Sequence, residues 1–293
     1  MKVEPESATW RKLLLLETLS RWSDQTHLVE VRMLNNRVAE IGTLAVGDKM
    51  TPGQVVDFVM RTGSRHVLQA GHPKFDHAVN LAALMTEQSE KFFADPAEAF
   101  FAHRKADGTD YSRHSFEVKY SEKKPAVMDE ISNAFQGNEK ARLVMPTVIS
   151  IADEMYTNAI YNAPTDKDGN RYNKFLSRSS PVKLEDGREA KITVAADKQV
   201  LFVYCEDPYG SVSLGEALEP IDLCYKKGLG TVMRMDGDAG TSIGCHMIFE
   251  QCSSFFLAIK PGQKTVFGAT ILLGLPTRFL HEIPKNVHLI APF

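Results

Sequence analysis

The alternation of apolar and polar residues along the chain predicts an α/β protein. Strands with one buried face alternate every second residue, whereas amphipathic helices repeat about every 3.6 residues. Strands are predicted at 115–120, 189–195, 199–205, 254–259 and 265–272, and helices at 125–135, 138–161 and 243–250. The order of strand, two helices, hairpin, long irregular stretch, helix and hairpin predicts a two-layer α/β sandwich, in which a mixed sheet carries helices on one face.

A polar segment at residues 106–113 separates this pattern from the first part of the chain. The segment contains glycine and follows a helical pattern at 95–103, which is typical of a linker or a hairpin. Before it, strands are predicted at 28–33 and 66–69, a helix beginning at Thr51-Pro-Gly-Gln54, and a longer helix at 75–93. The sequence thus predicts a smaller N-terminal domain (1–110) of α/β or α+β type with a regulatory or interaction role, and a second domain (113–293).

Composition narrows the class of protein without naming a function. Of the 293 residues, 43% are hydrophobic and 24% are charged, so the chain can bury a full core. The net charge of −3 gives no electrostatic footprint for nucleic acid. The apolar run at 13–16 is far too short to cross a membrane. Four scattered cysteines without a metal-binding spacing predict reduced thiols and a cytoplasmic protein.

The most informative residues lie on the long predicted helix at 138–161. Glu154, Asn158 and Asn162 follow one another at four-residue spacing, which places them on one face of a helix. A carboxylate can accept a proton or orient a water, and an amide oxygen can ligate a hard cation such as Mg²⁺. The same spacing also occurs on the solvated face of an ordinary amphipathic helix.

Two further segments add candidate chemistry. Asp207 follows an almost wholly apolar predicted strand, where its carboxylate can accept a hydrogen bond from an exocyclic amine such as that of adenine. Gly210 lets the backbone approach a ring or phosphate closely. The segment 237–244 is rich in small residues and directly precedes a predicted helix, whose N-terminal N–H groups can bind phosphate.

In this order, the segments resemble the ATP-binding domain of the GHKL superfamily, the Bergerat fold of gyrase, heat-shock 90 chaperones, histidine kinases and anti-sigma-factor serine kinases. Residues 154–159 (EMYTNA) resemble the N box of that superfamily, and 240–248 (GTSIGCHMI) resemble its second glycine box. The resemblance implies that Glu154 is the catalytic base and that Asn158 holds Mg²⁺. It also implies ATP-binding roles for Asn158, Asn162, Asp207, Gly210, Gly240, Ser242, Gly244 and Thr270. Two departures are the glycine of Asp207-Pro-Tyr-Gly210, one place late, and Ser242, which replaces a glycine.

The short strand and two helices before the N box resemble most closely the anti-sigma-factor serine/threonine kinases. That resemblance implies a regulatory, signal-transducing protein that binds ATP and Mg²⁺. It also implies a protein partner, either a sigma factor or an antagonist-like protein that is phosphorylated on serine or threonine. Residues 211–236 would form a mobile lid over the phosphates, with Lys226 and Lys227 near them.

Two alternatives follow from the same residues. The displaced glycine and Ser242 favour a degenerate module that serves protein–protein interaction without catalysis. An atypical histidine kinase would use a phosphorylated histidine from the N-terminal domain, for which His77 is the best candidate. A homodimer is compatible with the superfamily resemblance, but the sequence specifies no interface. The apolar tail at 287–293 is predicted to pack on the domain's own core.

Overall fold

A mixed sheet of eight strands organises the part of the chain that the structure describes. The computed structural model describes residues 44–47, 50–105, 110–236, 243–276 and 279–291. The strands are β1 (Leu44–Gly47), β2 (His66–Gln69), β3 (Ser112–Val118), β4 (Ala190–Ala196), β5 (Val200–Asp207), β6 (Ser254–Lys260), β7 (Lys264–Leu272) and β8 (Asn286–Ile290). The predicted α/β class is therefore confirmed.

The helices fill both sides of this sheet. They are α1 (Pro52–Thr62), α2 (Phe75–Glu87), α3 (Ser89–Ala94), α4 (Pro96–Lys105), α5 (Lys124–Ala134), α6 (Glu139–Thr157), α7 (Leu214–Lys227), α8 (Leu229–Asp236) and α9 (Gly244–Gln251), with a short 3₁₀ turn at Ser121–Lys123 and a π-helical turn at Asn158–Asn162. None of the helices in the described ranges is long and apolar enough to cross a membrane.

The strand order is β1-β2-β8-β6-β7-β5-β4-β3, so strands from both predicted domains share one sheet. β8 pairs in parallel with β6 on one side and antiparallel with β2 on the other, where His66 lies opposite His288. The predicted boundary near residue 110 therefore does not separate two sheets. The sequence could not reveal this, because the joining strand comes from the C-terminal tail, more than 200 residues away. That tail does pack on the protein's own core, as predicted.

Helices cover both faces of the sheet, not one. α5, α6, α7 and α9 pack with α1 against one face, which we call the cavity face. α2, α3 and α4 pack against the opposite face, which we call the aromatic face. The prediction of helices on a single face concerns residues 113–293, and it is confirmed there for α5, α6, α7 and α9. β5 carried a clue to this arrangement, because its first seven residues are all buried, as expected for a strand covered on both sides.

Several predicted elements differ from those observed, each for a local reason. The predicted helix at 75–93 is broken at Gln88, whose backbone leaves the helical region and separates α2 from α3. The stretch before Gly240, predicted to be irregular, instead forms α7 and α8. Ser213 and Glu216 build a capping box that starts α7, although Gly215 and Pro220 obscure the helical pattern. The predicted strand at 28–33 lies outside the described residues.

Candidate functional site

A cavity of about 580 Å³ lies between the sheet and the helices of the cavity face. Its walls are α6, the C-terminal end of β5, the N-terminal end of β7, and α7. Much of its wall is apolar, including Met155, Leu257 and Phe267. Among its polar groups are the two amides Asn158 and Asn162 and the Asp207 carboxylate with the Thr265 hydroxyl. The charged side chains that also line it are Arg171, Lys174, Glu216, Glu219 and Asp222. A cavity that combines apolar walls with convergent polar groups suits a small organic ligand.

Asp207 ends β5 and is held by the turn that follows it. Its Oδ1 accepts hydrogen bonds from the backbone N–H groups of Tyr209 (2.9 Å) and Gly210 (3.3 Å). Burial raises the pKa of Asp207 to about 6, although these two N–H groups and the nearby Thr265 hydroxyl act in the opposite direction. The Thr265 hydroxyl does not reach hydrogen-bonding geometry with any group in the described residues. At neutral pH the carboxylate is therefore mostly ionised yet poorly solvated.

Gly210 serves the fold of this turn and does not line the cavity. Its φ of +57° lies in the left-handed region, and a Cβ on it would collide with the carbonyl oxygen of Lys260. The predicted close approach is thus to the β6–β7 hairpin. The glycine is required by this backbone packing, whatever ligand the cavity takes.

Thr265, and not Thr270, lies beside Asp207. In the β5–β7 pairing Asp207 is opposite Thr265, whereas Thr270 is opposite Phe202 and its hydroxyl lies 2.9 Å from Ser253 Oγ. Residues five apart on a strand point to opposite faces, so Thr270 cannot share the face of Thr265. Thr270, predicted to act together with Asp207, therefore lies away from the cavity, and Thr265 lies in it beside Asp207. A sequence without a strand register gives no way to choose between two threonines on one strand.

The N-box residues lie where α6 passes into the π-helical turn. The Asn158 N–H reaches the carbonyl oxygens of both Glu154 and Met155, and the wider turn begins there. Asn158 Oδ1 accepts a hydrogen bond of 2.7 Å from Asn162 Nδ2, and both side chains line the cavity. π-helical turns of this kind recur at functional sites. The predicted common face of the two amides is thus observed, on a helix whose end is widened.

Glu154 lies against the first residue of α9. A Cβ on Gly244 would collide with Glu154 Oε2, so a larger residue at this position would displace the Glu154 carboxylate from the backbone of α9. Burial raises the pKa of Glu154, and the neighbouring Asp153 adds to the shift, while Lys124 and Arg178 oppose it. Cys245 on α9 lines the cavity nearby. Gly240 and Ser242 lie outside the described residues.

An ion pair that the sequence did not predict closes one side of the cavity. Arg171 forms a two-bonded ion pair with Glu216, at 2.6 and 2.7 Å, and also donates to the Ser211 carbonyl oxygen. It ties the segment after the N box to the start of α7. Since 45 residues separate Arg171 from Glu216, no local pattern could have indicated their contact.

Other predicted contacts are absent from the cavity. Lys226 pairs with Asp222 (2.9 Å) and with Asp57 of α1 (3.0 Å), so its charge is already matched. His77 is only 8% exposed, which places it poorly for phosphorylation. Within the described ranges, no group of three or more His, Cys, Asp or Glu side chains is arranged to hold a metal ion.

No protein-family model matches the chain, and no curated protein matches it in sequence. The functional assignment therefore depends on the residues and the geometry of this cavity.

Proposed function

We propose that the protein is an ATP·Mg²⁺-binding regulatory protein of GHKL type that acts in signal transduction, and that it resembles the anti-sigma-factor serine/threonine kinases. One observation carries the proposal. The Asp207–Thr265 pair and the Asn158–Asn162 pair, found on elements far apart in sequence, line one cavity. The GHKL resemblance requires that convergence, and the solvated face of an amphipathic helix would not produce it. The four free cysteines fit a cytoplasmic protein.

The Asp207 end suits adenine. A largely ionised carboxylate accepts a hydrogen bond from the exocyclic amine, and the buried Thr265 hydroxyl beside it can bond a ring nitrogen. Apolar side chains such as Met155 and Phe267 provide the surface on which a planar ring packs. Guanine carries a carbonyl oxygen in place of that amine, so in the same orientation it would offer Asp207 an acceptor where a donor is needed.

The amide end suits Mg²⁺. Mg²⁺ keeps several waters and is usually held by few protein ligands together with substrate phosphates, so a dense cluster of carboxylates is not required. Asn158 would supply an amide oxygen, and its hydrogen bond from Asn162 leaves a second lone pair for the ion. The bound ion would supply positive charge to the phosphates.

Glu154, which precedes the cavity residue Met155 on α6, would act as the base. The oxygen of a serine or threonine hydroxyl on the partner would attack the γ-phosphorus. The bond from that phosphorus to the β,γ-bridging oxygen would break, ADP would leave, and the hydroxyl proton would pass to the Glu154 carboxylate. A pKa raised by burial brings Glu154 closer to the range where a carboxylate accepts a proton effectively at neutral pH. The N-terminus of α9 would stabilise phosphate charge.

The reaction is tested with Glu154→Gln and a matched control, Glu130→Gln, which removes an exposed carboxylate of α5 that does not line the cavity. Conversion of ATP to ADP is measured for both, with water as the acceptor. We expect Glu154→Gln to keep ATP affinity within about threefold and to lose turnover by roughly 100-fold or more, whereas Glu130→Gln keeps both. Turnover retained in Glu154→Gln would show that Glu154 is not the base.

The second candidate function is an interaction module without catalysis. It is favoured by the charge of the cavity, which has four carboxylates (Asp207, Glu216, Glu219, Asp222) against two cations (Arg171, Lys174). One of those cations is already paired with Glu216. Absence of ATP binding up to millimolar concentration would favour this function. If transfer occurs, an acid-stable phosphoserine on a partner supports the kinase, and an acid-labile, base-stable phosphate on the protein itself supports a histidine kinase.

A further inference from the structure

Arg178 lies beside the N-box amides without lining the cavity wall itself. Its Nη2 donates to Asn162 Oδ1 at 3.3 Å, and its guanidinium lies over the Tyr161 ring, 4.6 Å from the ring centroid. Asn162 in turn donates to Asn158 Oδ1. A chain of contacts therefore connects this guanidinium to the amide proposed to hold Mg²⁺.

The backbone at Arg178 is fixed to the same helix end. The Tyr161 hydroxyl donates to the carbonyl oxygens of Arg178 and Ser180, both at 3.0 Å. Tyr161 lies on the π-helical turn and is 4% exposed, so its position is set by the core. Both the main chain and the side chain of Arg178 thus contact one buried residue of the π-helical turn.

The charge of Arg178 is not neutralised by a carboxylate within ion-pair distance in the described ranges, unlike the charges of Arg171 and Lys124. Arg171 pairs with Glu216, and Lys124 pairs with Asp153 at 2.7 Å. Arg178 is close enough to Glu154 to lower the pKa of that carboxyl. A guanidinium that is held in place and still has free donors is suited to bind phosphate oxygens.

We propose that Arg178 binds the γ-phosphate of ATP and supplies the positive charge that the acid-rich cavity lacks. This inference rests on the proposed function, since it assigns a role within the same site. Asn162 then orients Arg178 and does not ligate the ion. Arg178 also distinguishes ATP from ADP, because it contacts the phosphate that ADP does not have.

The test is a calorimetric titration of ATP and of ADP, each with Mg²⁺, into the wild type, Arg178→Gln and Lys167→Gln. Lys167→Gln is the matched control, because it removes an exposed cation of the same segment that does not line the cavity. We expect Arg178→Gln to weaken ATP binding roughly 10- to 100-fold and ADP binding by less than about threefold. We expect Lys167→Gln to change either affinity by less than about threefold, and Arg178→Lys to recover part of the loss.

Four results would overturn the inference. Equal losses for ATP and ADP in Arg178→Gln would show a structural role, which thermal unfolding of that variant would reveal as lowered stability. Equal losses in Lys167→Gln and Arg178→Gln would show a general charge effect of the segment. A wild type that binds neither nucleotide would overturn the proposed function, and the role of Arg178 with it. If Arg178→Gln does not fold, Arg178→Lys provides the ATP-to-ADP comparison, and an unchanged affinity ratio there would contradict the inference.

Discussion

The two faces of the central sheet are packed differently, although the same strands contribute side chains to both. On β5, Phe202 points to the aromatic face, where its ring stacks on Phe100 (4.6 Å between centroids) and on Phe256 (4.8 Å). Cys205 and Asp207, on the same strand with the opposite orientation, line the cavity. The aromatic face is filled with close-packed rings, which stabilise the fold. The cavity face leaves space and a buried carboxylate, which lower stability and provide chemistry.

The largest expected effect breaks the aromatic face. Phe202→Ala should lower the free energy of unfolding by about 3–5 kcal/mol, because it removes a fully buried ring and leaves a cavity. Nucleotide affinity of the folded fraction should stay unchanged. Denaturant unfolding measures the loss, with Cys205→Ala on the other face of β5 as the control, expected to cost about 1 kcal/mol. Similar losses in both variants would mean that the two faces do not differ as described.

A substitution in the cavity should have the opposite result from Phe202→Ala, with ligand binding lost and stability nearly unchanged. Asn158→Ala should abolish Mg²⁺-dependent ATP binding, because it removes the amide oxygen proposed to hold the ion. Since Asn158 is not fully buried, the free energy of unfolding should change by less than about 1 kcal/mol. Calorimetry and denaturant unfolding on the same preparation measure both quantities. Unchanged Mg²⁺-dependent binding would remove Asn158 from the site.

Asp207→Asn should separate stability from ligand binding on the cavity face, because the variant should be more stable and should bind ATP more weakly. The folded-state pKa of Asp207, about 6, lies above its usual value of 3.8, so its favourable contribution is complete below pH 3.8 and is lost as pH rises through 6. Asparagine keeps an oxygen for the Tyr209 and Gly210 N–H groups and carries no charge. We expect a gain on the order of 1–3 kcal/mol at pH 8 and weaker ATP binding, measured by unfolding at pH 5 and 8 and by titration. A variant less stable than wild type at pH 8 would contradict this.

The smallest expected effect concerns the buried histidines at the β2–β8 junction. Their effect on stability has the opposite pH dependence from that of Asp207, because stability falls as pH falls. Burial lowers the pKa of His66 to about 3 and of His72 to about 4, and also lowers that of His288. Their contribution to the free energy of unfolding is complete above pH 6.5 and is lost as pH falls toward 3–4. The reason is that the unfolded chain binds more protons than the folded protein over this range. The slope is at most about 1.4 kcal/mol per pH unit for each histidine.

His72→Gln should reduce that acid dependence between pH 6.5 and 5. His281→Gln, which removes a histidine with a 61% exposed side chain, should not change it. Unfolding profiles of the two variants against pH make the comparison. Identical profiles would show that the buried histidines do not control acid stability.

The parts of the fold and site that could be predicted from the sequence are those encoded locally. The β4–β5 hairpin, the start of α1 at Thr51 and the common face of Asn158 and Asn162 all follow from short-range patterns. Contacts between distant segments could not be predicted in this way. The choice of Thr265 over Thr270 depends on strand register, and the Arg171–Glu216 pair depends on how a segment without periodicity folds back.

Calorimetric titration of ATP into the wild-type protein, first with Mg²⁺ and then with a chelator, shows whether the cavity binds ATP together with Mg²⁺. This is the cavity between α6, the C-terminal end of β5, the N-terminal end of β7, and α7. We predict saturable binding with a stoichiometry of about one per chain that weakens at least about tenfold when Mg²⁺ is removed. No heat of binding up to millimolar ATP, or binding that is indifferent to Mg²⁺, would contradict it.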